Sequence, residues 1–351
     1  MRILTNKHNL PQTLVDAVKY DTHRNAGTIS CTELIDSPKI RILKKSNTYE
    51  TDVSEQIYAL MGTALHHILE RANISSVRKR AFILTAETII MEAEKMETVD
   101  PSKASKLKAA ANYIFSLIPV FFPEIGEKYI FEKTLRIDLA GGHVLSMTFD
   151  LYEIATGILY DYKFCSVYQY VFPESRKKWN QQTNVYAYGL HVHGHPINGI
   201  RIVAFFRDWD AHSMMRNRDY PKHQIIEISV PLGNSQRPEP WYDQVEDFIN
   251  KRIKLHIEAE NGNIPDCTGE DRWAKADIFA VKTKGSKKAL RLFTTRPAAE
   301  AYISENAHQY EKMFIEFRPG GSVRCERFCP VKDFCDQRKQ EMEKAANNAK
   351  M

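Results

Sequence analysis

The segment from Met147 to Lys163 restricts this chain more than any other. Two short apolar runs, Met147-Thr-Phe-Asp150 and Tyr160-Asp161-Tyr162-Lys163, flank Ala155-Thr156-Gly157, a pattern that predicts a β-hairpin. Side chains alternate along a strand, so Asp161 and Lys163 share one face and Tyr162 points to the other. With the turn near Thr156, Asp150 falls roughly opposite that pair, within the ~5 Å reach of cross-strand neighbours. Two carboxylates that close repel unless a cation lies between them. A hard divalent ion such as Mg²⁺ fits, with Lys163 as a second positive charge. That arrangement suits hydrolysis of a phosphodiester. An isolated Asp-x-Lys is also a common solvated pair of little consequence, so the argument needs further residues.

Three other features supply them. Gly62-Thr-Ala-Leu-His66-His67-Ile-Leu-Glu70 carries Leu60, Ala64, Leu65, Ile68 and Leu69 at helical spacing, which predicts an amphipathic helix with one face on a core. Gly62 would allow close backbone approach one turn before His66, either a satisfied core histidine or a neutral imidazole at a metal. His67 points about 100° away. Downstream, Gln182 and Tyr186 in Trp179-Asn-Gln-Gln182-Thr-Asn-Val-Tyr186 share a helix face. They suit contacts to phosphate, sugar or carboxylate, or an ordinary polar boundary. Finally, Cys325-x3-Cys329-Pro-x4-Cys335 gathers three cysteines within eleven residues. Without a secretion signal these point to a metal rather than to disulfides, and soft thiolates select zinc or an iron–sulfur cluster.

In order, Gly-x-x-x-His, Asp, Asp-x-Lys, Gln-x-x-x-Tyr and clustered cysteines resemble the PD-(D/E)xK nuclease superfamily. The likeness is to RecB-like exonucleases, including the nuclease domain of AddB, stand-alone phage exonucleases and the CRISPR-associated adaptation nucleases. It runs from roughly Ile29 to Arg338. The resemblance implies a restriction-endonuclease-like core, an α/β fold with a mixed central sheet flanked by helices. It further implies Mg²⁺ or Mn²⁺ bound by His66, Asp150, Asp161 and the Tyr162 carbonyl. Lys163 would orient or activate the attacking water, and Gln182 and Tyr186 would stand beside the active site. Glu132, in Tyr129-Ile-Phe-Glu-Lys-Thr-Leu, is expected near the site but not as a ligand.

Cluster-bearing relatives place a first cysteine near the N-terminus, before a Pro-Arg pair. Here that position is Ser37, followed by Pro38-Lys39. The fourth thiolate is expected from Cys267, in the turn-rich Ile-Pro-Asp-Cys-Thr-Gly, with Cys31 as second choice and Cys165 as a wall of the nuclease pocket. Four thiolates fit a [4Fe–4S] cluster or a structural Zn²⁺, and the resemblance favours iron–sulfur.

The chain has 351 residues, 43% of them hydrophobic, enough for a large core. No run approaches the ~18 apolar residues of a membrane span, and no basic-then-apolar leader is visible. A cytoplasmic protein of a bacterium or phage-infected host, without membrane contact, is expected. A net charge of +5 is modest for a nucleic-acid binder. Arg176-Lys177-Lys178 nevertheless opens the Gln182 helix, where it could hold phosphates. Further basic clusters lie at Arg78-Lys-Arg80, Lys251-Arg-Ile-Lys254 and Lys282 to Lys288.

Along the chain, Ser30-x-x-Glu33 is a capping box for a helix that stops before Pro38. Helical patterns occupy roughly Ser54–Asn73, Arg78–Glu97, Ser102–Leu117 and Trp241–Glu260. Strands are expected over Tyr129–Lys163, Ile200–Arg207 and His223–Val230. A hairpin of Ile278–Val281 with Leu290–Phe293 and a helix from about Arg296 follow. The expected organisation is an N-terminal segment 1–53, a nuclease core 54–260, a cysteine metal-binding subdomain 261–340 and a flexible tail 341–351. No phosphate loop is seen in these residues, so no fused helicase motor is expected. The expected activity is metal-dependent exonucleolysis of DNA, in recombination, repair or phage DNA processing, with a helicase or single-strand annealing protein as partner. The alternatives are a CRISPR-type DNA-trimming nuclease and a non-catalytic nucleic-acid-binding adaptor on the same fold.

Overall fold

In the computed structural model, which describes residues 2–20, 27–72, 74–121, 128–308 and 312–348, the chain divides into two compact units. The larger comprises Leu4–Ile35 and Asp52–Lys254. The smaller comprises Met1–Ile3, Asp36–Thr51 and Leu255–Met351. The segment 36–51 therefore groups with the C-terminal residues.

The larger unit is built on a six-stranded mixed sheet. Its strands are β1 (Ile29–Ser30), β2 (Tyr129–Asp138), β3 (Val144–Glu153), β4 (Ile158–Cys165), β5 (Gly199–Phe206) and β6 (Ile225–Val230), in the order β1-β3-β4-β5-β6, with β2 also on β3. β1 is parallel to β3 and β4 parallel to β5, whereas the remaining pairings are antiparallel. β5 shows why such sequences become strands: Ile200, Ile202, Ala204 and Phe206 are buried while the intervening residues are half-buried. The unit's longer helices include α1 (Ile57–Ala72), α2 (Ile74–Met96), α3 (Pro101–Phe121) and α4 (Lys177–Val192). A further helix spans Trp241–Glu260, as the periodicity predicts.

The chain β3-turn-β4 is the expected hairpin, with Leu151 opposite Tyr160 and Glu153 opposite Ile158. Gly157 closes its turn with φ of +68°, a conformation that costs an L-residue strain but not glycine. The pairing stops at Leu151–Tyr160, and the two strands part there. α4 lies on the sheet through Thr183, Tyr186, Ala187 and Leu190, spaced to form one buried face. Gly189 lets it approach Met147 and Leu135 closely. The box at Ser30 is present: Glu33 N–H donates to Ser30 Oγ (3.3 Å), and Ser30 N–H donates to the Glu33 carboxylate (2.9 Å).

α1 departs from expectation. Leu60, Leu65 and Leu69 are only half-buried, Ala64 is exposed and Ile68 is 64% exposed, so the apolar stripe is not seated on a core. Nor does backbone approach Gly62, since a Cβ there would meet nothing within 4 Å.

The smaller unit holds a three-stranded antiparallel sheet in which β7 (Ile278–Thr283) is central between β8 (Arg291–Phe293) and β9 (Met313–Arg318). The hairpin is as expected, and β9 is an addition. α5 (Arg296–Asn306), α6 (Asp336–Asn348) and the short helix Pro38–Ser46 complete the unit. α6 runs past residue 341, where the tail is expected to begin, as far as Asn348. Among the described residues, no helix is long and apolar enough to cross a membrane.

Candidate metal centre and thiol cavity

The parting of β3 from β4 creates the first site. Beyond Tyr160 the ladder no longer supplies a carbonyl to Tyr162 N–H, which donates instead to Asp150 Oδ2 at 2.6 Å. Asp150 is thereby fixed beside the strand that carries Asp161 and Lys163. On the other side of β3, Phe131 faces Leu151 and Lys133 faces Phe149, so Glu132 stands opposite Asp150, at the one interrupted step of that ladder. Glu132 has φ of +42°, a left-handed conformation that costs a residue with a Cβ about 1–2 kcal/mol. Strain of this kind persists only where its surroundings enforce it, and it gathers at functional sites.

Facing carboxylates across a strand pair are unfavourable without a cation. His66, from α1, occupies that place. Its Nδ1 lies 3.4 Å from Glu132 Oε1 and 3.5 Å from Asp150 Oδ1, and its Nε2 is 3.3 Å from the Tyr162 carbonyl. The bond to Glu132, opposed by burial and aided by the charge of Asp150, raises the His66 pKa to about 9. The imidazolium is thus the local counter-ion. Burial, and then the charge of Asp161, push Asp150 up to about 7. The ligand atoms of His66, Glu132 and Asp150 all lie within 4.8 Å of one another, a set that could hold a metal ion. One imidazole and two carboxylates offer a hard, oxygen-rich environment.

Asp161 is not in this set. It is 1% exposed and pairs with Lys163, whose Nζ is 2.7 Å from Oδ2. The contact is ionic in distance, but Oδ2 has no partner of good hydrogen-bond geometry. Burial pulls Lys163 toward neutrality, yet Asp161 and Asp150 outweigh it, and its pKa lies above the usual lysine value. Gln182 donates to the Tyr186 hydroxyl at 2.6 Å. Burial raises the Tyr186 phenol well above its ordinary pKa, with added repulsion from Cys31, Asp161 and Asp150. The structure therefore brings His66, Asp150, Asp161, Tyr162, Lys163, Gln182 and Tyr186 into one neighbourhood. His67 is exposed. At the head of α4, Arg176 lies 6.0 Å from the Tyr170 ring, and Lys177 is exposed while Lys178 is half-buried.

Glu132 is the residue that sequence reasoning undervalued. The signal was an acidic residue within a strand pattern, one strand away from Asp150. What it lacked was the register that sets the two face to face.

The second site lies in the smaller unit. Cys267, Cys325, Cys329 and Cys335 line one cavity, together with Lys39, Arg272, Arg324, Lys332 and Arg338 among others. Cys267 and Cys329 also pack with Ile40 and Val331. Gln337 fastens Cys267 by accepting from its N–H (2.9 Å) and donating to its carbonyl (3.0 Å). Burial raises the Cys267 thiol to about 11, against the pull of the Ser37 hydroxyl. Cys325 and Cys329 are likewise raised by burial. Although they share the cavity, no three of these sulfurs lie within 4.8 Å of one another. Cys31, the second choice for a fourth thiolate, is elsewhere: its S–H points to the Gln182 carbonyl at 3.8 Å in the larger unit. Cys165 is buried with Val167, Ala204 and Phe206.

No family of known proteins matches the sequence, and no curated protein does. Among solved structures the chain is similar to the crystal structure of SSO0001, at 13% sequence identity and a TM-score of 0.35. That match covers 71% of this chain and 85% of the other.

Proposed function

We propose that this chain is a metal-dependent DNA exonuclease of the PD-(D/E)xK type. The observation that carries the reading is the convergence of His66, Glu132 and Asp150 beside the Asp161–Lys163 pair. His66, Glu132 and Asp150 would hold an ion, which when bound would supply Lewis acidity toward a phosphate oxygen. Lys163, fully charged near neutral pH, stabilises negative charge developing on that phosphate. Asp161 holds the ammonium in place from a buried position. Asp150 is tied to the β4 backbone through Tyr162 N–H. Gln182 fixes the Tyr186 hydroxyl, whose high pKa keeps it a neutral donor. Arg176, Lys177 and Lys178 would hold backbone phosphates at the head of α4.

The thiol cavity supports a second group. Cys267, Cys325, Cys329 and Cys335 would hold an iron–sulfur cluster, with a structural Zn²⁺ as the alternative, and Arg and Lys side chains of the cavity would offset thiolate charge.

The deciding experiment compares wild type with Lys163→Ala on end-labelled linear and covalently closed circular DNA, with Mg²⁺ or Mn²⁺. Loss of linear DNA alone, abolished by the substitution and by EDTA, is expected. Cleavage of the circle would make the enzyme an endonuclease. Metal-dependent cleavage that survives Lys163→Ala would remove this site from the reaction. Binding of DNA without any cleavage would favour the adaptor alternative.

A further inference from the structure

Ser37 opens the helix Pro38–Ser46. A serine at that position ordinarily turns its hydroxyl to an N–H two or three residues on. Here no side-chain cap bond is made. The Oγ lies instead 3.1 Å from Cys267 Sγ, and the residue is only 1% exposed. Its position is held from both sides. The preceding Asp36 accepts from both Arg324 terminal nitrogens, at 2.7 and 2.6 Å. Ser37 O accepts from Ile40 N–H at 3.1 Å, and Pro38 restricts the backbone that follows. Arg324 is the neighbour of Cys325 in sequence, so one guanidinium ties the Ser37 segment to the next cavity thiol. Cys267 lines the cavity and Ser37 does not. The hydroxyl therefore stands behind the sulfur.

This rests on reading the cavity as the seat of a thiolate-bound group. We infer that Ser37 is a positioning residue that donates a hydrogen bond to the Cys267 sulfur when that sulfur is a metal ligand. A hydroxyl can donate or accept, but a thiolate only accepts, so ligation fixes the direction of the bond. A donor behind a ligating sulfur orients the ligand and draws off charge. At an iron–sulfur group that favours the reduced, more negative state and raises the reduction potential. The forgone helix cap is the counterpart of this role: the hydroxyl serves the sulfur rather than the helix end.

The test uses the whole protein, purified without oxygen, as wild type, Ser37→Ala, Ser37→Thr and Cys267→Ala. Iron, zinc and sulfide per chain are measured, followed by a redox titration. Expected is equal loading of wild type and Ser37→Ala, a lower potential in Ser37→Ala, a return toward wild type in Ser37→Thr, and loss of the group in Cys267→Ala. Should the group be zinc, the readout becomes release to a chromophoric chelator, about tenfold faster in Ser37→Ala. An unchanged potential or release rate in a loaded Ser37→Ala protein overturns the inference alone. So does loss of the group as complete as in Cys267→Ala, which would make Ser37 a ligand. Wild type that carries neither iron nor zinc overturns the cavity reading and this inference with it.

Discussion

Metal binding at His66, Glu132 and Asp150 should be paid for in protons, and the cost follows from the site. Glu132 first, and Asp150 after it, hold the His66 pKa at about 9 in the metal-free protein. The imidazolium is the stabilised form, so protons compete with a metal for Nδ1 at every pH below that value. Between pH 7 and 9 each bound ion must expel one proton, and the dissociation constant should fall about tenfold per pH unit, roughly 1.4 kcal/mol. Across that interval the gain is about a hundredfold. Below pH 7 Asp150 also carries a proton, and the dependence should steepen toward a second proton. Calorimetry with Mn²⁺ at pH 8, in two buffers of different ionisation enthalpy, counts the protons directly. Close to one per ion is expected, falling toward zero in His66→Ala. A dissociation constant that stays flat from pH 7 to 9, or release of no proton at pH 8, would refute the reasoning.

Three further outcomes are expected. Glu132→Gln should weaken Mn²⁺ binding at least tenfold, read by the same calorimetry, and equal affinity would return Glu132 to the status of a bystander. Gly157→Ala should destabilise the larger unit by about 1–3 kcal/mol, because φ is +68° and a Cβ would meet Asn198 Nδ2 at 2.8 Å; thermal unfolding reports it. Asp52 accepts from Lys7 N–H and from Ser54, bonds that hold its carboxyl well below the usual range. Its folded pKa is depressed, so the stability it lends is present above the ordinary carboxylate pKa and lost as pH falls through the folded value. Asp52→Asn should therefore lower the melting temperature at pH 7 and narrow the difference from wild type in strong acid.

Much of the larger unit was legible because its signals are local. β5 is a short apolar run, the Gln182–Tyr186 spacing is helical, and the box at Ser30 is closed within three residues. The α1 stripe misled because helical periodicity states which residues share a face, not whether anything covers it. Gly62 misled for the same reason: a glycine permits approach but does not cause it. Local signals likewise gave the hairpin turn at Gly157, though not the point at which the strands part.

What the amino-acid sequence determined by itself was the inventory and its order: an imidazole on a helix, two aspartates and a lysine around a turn, and cysteines clustered near the end. These follow from rules that act over a few residues, alternation, helical spacing and turn chemistry. Only the tertiary structure decided which groups meet. Register across β2 and β3 set Glu132 against Asp150, His66 came between them from a distant helix, and Asp161 turned to Lys163 instead. In the smaller unit, Cys267 was brought to Ser37 from 230 residues away. Such meetings depend on long-range packing, which no periodicity within one segment encodes.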